Sequence, residues 1–81
     1  MKARVYVTLK KSIADPQGNA IQNALMKLGY TSIEDVRIGK LIELELGNIA
    51  IDEAEAQLAK MCEDLLANTV IEEYEYKICK R

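Results

Sequence analysis

The stretch Asp35-Val36-Arg37-Ile38-Gly39-Lys40-Leu41-Ile42-Glu43-Leu44-Glu45-Leu46 lies near the middle of an 81-residue chain. It reads as a strand, a tight turn at Gly39-Lys40 and a second strand. In the second strand Ile42, Leu44 and Leu46 alternate with Leu41, Glu43 and Glu45, the period-two pattern of a half-buried strand. The first strand is less regular. Ile33, Val36 and Ile38 do not alternate cleanly, which predicts an edge strand bulged near Glu34-Asp35. A hairpin at this place obliges the segments on either side to pack on the same small sheet.

Those segments repeat one pattern. Residues 2–10 alternate, with Ala3, Val5, Val7 and Leu9 on one side and Arg4, Tyr6, Thr8 and Lys10 on the other. Asp15-Pro16 is a helix start, because Asp caps the free N–H groups and Pro at the first helical position gives up no needed donor. Ile21, Ala24, Leu25 and Leu28 then form one apolar stripe, and Gly29 stands where a helix ends with positive φ. A second helix is expected from a cap at Asp52, with Glu53 and Glu55 at its positive end. Its stripe is Ala54, Leu58, Met61 and Leu65, widened by Cys62 and Leu66. Asn68 is its expected stop, and residues 70–78 read as the last strand. The order is β-α-β-β-α-β. The expected fold class is α+β, a ferredoxin-like two-layer sandwich. Its four-stranded antiparallel sheet has strands one and three in the middle, and both helices cover one face.

Residues 1–81 are expected to be a single domain. A chain this short buries only roughly 60–65% of its unfolded surface, so it is stable when very well packed or when it associates. The residues are 49% hydrophobic and 30% charged, with a net charge of −2. That balance opposes a nucleic-acid role, because phosphate binding needs a basic field. There is no histidine, which removes histidine-based metal sites and acid–base chemistry. Met1-Lys2 runs straight into a strand pattern with no leader, and no apolar run reaches the roughly 20 residues that span a bilayer. The expectation is a cytoplasmic protein with no membrane role and with free thiols at Cys62 and Cys79.

Several constellations bear on function. Arg4, Lys10, Glu43 and Glu45 share the outer sheet face with Tyr6 and predict cross-strand charge pairs. Nothing nearby would raise a carboxylate pKa, so a solvated or partner-covered face is favoured over catalysis. RNA-binding sheets of this topology carry two or three stacking aromatics, and Tyr6 alone qualifies here. Metal-carrying domains of this topology need cysteines in the first loop, and residues 11–16 have none. Arg37 and Lys40 flank Gly39. They are either the solvated tip of a turn or a contact for a phosphate or carboxylate on a partner. Tyr74 and Tyr76 either join an interface through a free sheet edge or pack on their own sheet.

Four segments carry a family resemblance. Val5-Tyr6-Val7-Thr8-Leu9-Lys10, Asp15-Pro16-Gln17-Gly18, the run from Asp35-Val36-Arg37-Ile38-Gly39-Lys40 through Ile42-Glu43-Leu44, and Cys62-Glu63-Asp64-Leu65-Leu66-Ala67-Asn68 with Val70-Ile71-Glu72 stand in the order found in the PurS family. The chain therefore resembles the small subunit of phosphoribosylformylglycinamidine (FGAM) synthase. Thr69 departs from the proline expected after Asn68, and residues 47–51 look less acidic than usual. The resemblance implies a subunit of a ligase complex with no catalytic site, bound cofactor or metal of its own. It implies a large synthetase subunit and a glutaminase subunit as partners, with ATP and magnesium at the level of the complex, and a homodimer or homotetramer of this chain. The residues expected to meet partners are Arg37, Gly39 and Lys40, then Tyr6 and Arg4. The alternative for this topology is a small regulatory domain that binds an amino acid at a dimer edge.

Overall fold

The structure is a computed structural model that describes residues 1–79. Its elements are β1 (Lys2–Leu9), α1 (Pro16–Lys27), β2 (Gly39–Glu45), α2 (Ile51–Met61) continued by a π-helical turn (Cys62–Leu66), and β3 (Glu72–Cys79). The strands form one antiparallel sheet in the order β2-β1-β3. Val5 on β1 stands opposite Ile42 on β2 and Tyr76 on β3. The alternation in residues 2–10 is therefore real: Ala3, Val5 and Val7 are fully buried on the inner face. Leu58 of α2 and Cys62 of the π-helical turn close over them, and Ile42, Leu44, Tyr74, Tyr76 and Ile78 pack around the edge of this core. A fully buried Val or Leu contributes about 1.5–3 kcal/mol, so β1 and α2 carry most of the packing.

The fourth strand is absent among the described residues. Residues 33–38 form no regular element and pair with no strand. Their backbone is taken up by α1 instead. Gln22 Nε2 donates to the Ile33 carbonyl at 3.0 Å, and the Ile38 N–H donates to the Asp15 carboxylate at 2.8 Å. The uneven spacing of Ile33, Val36 and Ile38 is what such a segment needs, since it packs on a helix surface and not on a pleated sheet. All three are half-buried. With that strand gone, β2 becomes a sheet edge, and only β1 is central.

Gly39-Lys40 is accordingly no turn. Gly39 begins β2 opposite Thr8. A Cβ at Gly39 would lie 2.8 Å from Thr8 Cγ2 and from the Val7 carbonyl oxygen. Close strand approach, and not positive φ, requires glycine there. Among the described residues Gly29 alone has positive φ, at 104°, where α1 stops as expected.

The helices also differ from expectation in placement. α1 does not cover the sheet beside α2. It projects from the end of the sheet with residues 33–38 along its side. The radius of gyration is 16.2 Å and the extents are 49 × 28 × 14 Å, whereas a compact chain of this length has a radius of about 12 Å. The stripe on α1 is left open, with Ile21 41% and Leu28 74% exposed. α2 starts at Ile51 with Ala50 as an uncharged cap, so Asp52 lies inside the first turn and acts on the helix dipole. The π turn, closed by the Ala67 N–H on the Cys62 carbonyl at 3.1 Å, adds a residue to the helical repeat. The inward face passes from Leu58 and Cys62 to Ala67, and Leu65, expected in the core, is 82% exposed.

Candidate functional site

α1 and residues 33–38 beside it form an arm, and the two chain segments that join this arm to the sheet meet at Asp15. Its side chain is only 5% exposed. One carboxylate oxygen accepts from the Gly18 N–H at 2.9 Å, the capping bond of α1. The other accepts from the Ile38 N–H at 2.8 Å. The Ile38 bond, then the Gly18 bond, hold the Asp15 pKa below its ordinary value against the opposing effect of burial, and Arg37 adds to the lowering. Gly18 sits at the third helical position because Val36 crosses it: a Cβ there would lie 2.0 Å from the Val36 carbonyl oxygen.

Arg37 completes the junction. Its guanidinium donates to the Lys10 carbonyl at 2.9 Å and to the Ile13 carbonyl at 2.8 Å. These are the carbonyls of the segment that leaves β1. Lys40 lies beside the junction, 3.6 Å from Glu72 on β3 and with its side chain 62% exposed. Asp15, Gln17, Ile38, Gly39, Lys40 and Glu72 line a cleft of about 260 Å³. The structure thus brings Arg37, Gly39 and Lys40 together, as their spacing requires, at a strand entry and not at a loop tip.

Tyr6 and Arg4 lie elsewhere, on the outer face of β1. Arg4 Nε donates to Glu43 at 3.1 Å directly across the β1–β2 pair. Lys2 stands 3.6 Å from Glu45 in the same way. The Arg4–Glu43 pair is as expected, whereas Glu45 faces Lys2 in place of Lys10, so each carboxylate of β2 faces a cation. The hydrogen bond from Arg4 to Glu43, then the charge of Glu43, raise the Arg4 pKa. Tyr6 is half-buried between Leu41 and Glu75. On the other face the Tyr74 hydroxyl donates to Glu63 at 2.7 Å and ties β3 to the π turn. Tyr74 and Tyr76 pack against the core of their own sheet. Cys62 and Cys79 are free thiols, and burial, with Glu63 beside it, pushes the Cys62 thiol up.

A second feature escapes the sequence. Beside α2, over β2, lies an open groove of about 540 Å³ lined by Leu44, Met61, Leu65 and Leu66, with the ion pair Lys60–Asp64 in its wall. In a four-stranded sandwich α1 would fill this place. Only the projection of α1 and the rotation of Leu65 by the π turn open it, and neither is encoded locally. The double role of Asp15 is hidden likewise: its capping bond follows from Asp15-Pro16, but the bond to Ile38 spans 23 positions.

The chain matches known proteins over nearly its full length. The model of the PurS family, described as phosphoribosylformylglycinamidine (FGAM) synthase, covers residues 2–80. Phosphoribosylformylglycinamidine synthase subunit PurS of Synechocystis is 56% identical over 77 residues, spanning 93% of this chain and 75% of that protein. Among solved structures, PurS of Methanocaldococcus jannaschii, one of the subunits of formylglycinamide ribonucleotide amidotransferase in the purine biosynthetic pathway, superposes with a TM-score of 0.88. It is 36% identical and spans 99% of this chain and 96% of that one. A chain from the structure of PurLQS of Thermotoga maritima superposes with a TM-score of 0.85 at 33% identity, spanning 94% of this chain and 93% of that one.

Proposed function

Because this chain belongs to the PurS family, we propose that it is the non-catalytic small subunit of an FGAM synthase in purine biosynthesis. The synthase converts formylglycinamide ribonucleotide to formylglycinamidine ribonucleotide with ATP and glutamine. In this reading ATP and magnesium belong to a large synthetase subunit, ammonia is released by a glutaminase subunit, and the present chain, one unit over residues 1–81, holds the two together in the cytoplasm. Similarity over 93% of this chain and 75% of a subunit named for that enzyme is the observation that carries the reading. The similar chain from PurLQS lends it further weight.

The geometry fits an assembly subunit. The apolar stripe of α1 and an apolar groove both stand open on one small chain, and an 81-residue domain can rarely leave so much uncovered. We read the occupant of the groove as α1 of a second copy, within a homodimer or homotetramer. The stripe and the groove are the pair that one ferredoxin-like sandwich would join internally. Lys40, Arg4 and Tyr6 remain the surface groups for larger partners. Arg37 and Gly39 act from beneath, the first by clamping backbone carbonyls and the second by admitting β1. The alternative of an amino-acid-binding regulatory domain is not favoured by the family.

Reconstitution tests the reading. Synthetase and glutaminase subunits from the same source are assayed for glutamine-dependent FGAM formation with and without this chain, and pull-downs are run with glutamine and ADP present. Activity and co-purification that depend on the chain are expected. Full glutamine-dependent activity in its absence would sink the proposal.

A further inference from the structure

We infer that Asp15, Gly18 and Arg37 form a latch that decides whether α1 is given to a second chain or closes over its own sheet. The inference rests on the reading that copies associate through the arm, and it concerns what sets that choice.

The same stripe, with Ile21, Leu25 and Leu28, and the same groove, with Leu44, Met61 and Leu65, would meet in either arrangement. Contacts within one chain and contacts between two would bury equivalent surface, as in any exchange of identical elements. The difference lies at the connection. Two segments join arm to sheet, the one leaving β1 and the one entering β2. In this structure they are bonded to each other at every turn. Asp15 on the first holds the Ile38 N–H of the second. Arg37 on the second holds the Lys10 and Ile13 carbonyls of the first. Gly18 lets the Val36 backbone pass where any Cβ would collide with it.

For α1 to swing over its own groove, the two segments must change their angle at this crossing. The Asp15–Ile38 bond and the paired Arg37 bonds would break together, and the Val36–Gly18 crossing would open. The latch therefore holds the arm extended and leaves its stripe to another chain. These bonds hold the two connecting segments to each other, and the Lys10 N–H, donating to the Ile71 carbonyl at 2.9 Å, anchors the first of them beside β3; the Gln22–Ile33 bond lies within the arm itself.

The test uses the full chain and the variants Arg37→Ala and Asp15→Ala. Each is checked for a cooperative thermal transition. Mass is then measured by light scattering across a dilution series, and the radius of gyration by small-angle X-ray scattering. The wild type is expected to associate. The variants are expected to shift to single chains at concentrations at least tenfold above those where the wild type dissociates, with a radius near the roughly 12 Å of a compact chain. Folded variants with the mass and scattering profile of the wild type overturn the latch while leaving self-association and the synthase role intact. A wild type that is itself a compact single chain overturns latch and arm exchange together. Amide hydrogen exchange on the wild type gives an independent readout should either variant fail to fold. The Gly18 and Ile38 amides are expected to exchange at least a hundredfold more slowly than an unstructured peptide, and free exchange at Ile38 overturns the latch.

Discussion

At the residue scale the chain is governed by a few polar side chains that each satisfy two backbone groups or two elements. Asp15 shows the consequence most directly. Its folded pKa lies below its ordinary value because both oxygens accept backbone N–H groups. A carboxylate with a depressed folded pKa stabilises the fold fully above its unfolded pKa, and loses that contribution as pH falls through the folded value. Asp15→Asn keeps an oxygen for Gly18 but presents an amide to the Ile38 N–H. The variant is therefore expected to unfold at lower denaturant than the wild type at pH 7. The gap should close progressively below about pH 4, which paired denaturation curves at pH 7 and pH 3 would record. Tyr74 behaves with the opposite sign. Its hydrogen bond to Glu63 favours the neutral phenol and, with burial and the Glu63 charge adding to it, pushes its pKa up to about 12. The stabilisation is complete below the ordinary tyrosine value near 10 and disappears as pH rises toward 12. A phenolate absorbance titration should show a late-ionising group that is missing in Tyr74→Phe and moves to lower pH in Glu63→Gln.

At the scale of elements, what was legible in the sequence is what is settled locally. The alternation around Val5 and Val7 needs only a sheet with one buried face. Asp15-Pro16 and Gly29 mark the ends of α1 by cap chemistry and positive φ. Glu43 and Arg4 announce a cross-strand pair because alternation puts them on one face. The rest depends on what each element meets. Ile33, Val36 and Ile38 are apolar enough for a strand, but Gln22 takes the Ile33 carbonyl and the capping Asp15 takes the Ile38 N–H in place of strand partners. Gly39 and Lys40 resemble a hairpin turn because close strand approach and turn geometry both select glycine. Leu65 follows the helical repeat until the π turn displaces it by a residue. Leu58 and Leu65 therefore give a clean contrast on one helix. Leu58→Ala is expected to cost about 2–5 kcal/mol, much of the roughly 4–12 kcal/mol available to a chain this size. Leu65→Ala should change the stability of the single chain by no more than about 0.5 kcal/mol. Denaturation at a concentration where the chain is dissociated separates the two.

At the scale of the whole molecule the question is how an extended chain with an uncovered helix becomes a stable subunit. If α1 of one copy lies in the groove of another, a two-fold assembly contains two such contacts, and each chain supplies one arm and one groove. Leu28→Asp spoils the arm and leaves the groove intact. Leu65→Asp does the reverse. Both residues are more than 70% exposed in the single chain, so neither substitution should disturb the sheet. In a pair made only of Leu28→Asp chains both contacts carry a buried carboxylate, and the same holds for Leu65→Asp. Each variant alone is thus expected to dissociate at concentrations where the wild type associates. A mixture is different. The sound arm of the Leu65→Asp chain can enter the sound groove of the Leu28→Asp chain, which restores one contact completely and places both defects in the other. Light scattering of an equimolar mixture should then show mixed pairs at concentrations where each variant alone is single. Association in the mixture no stronger than in the separate variants would mean that α1 and the Leu65 groove do not meet, and that the arm serves some other surface of the synthase.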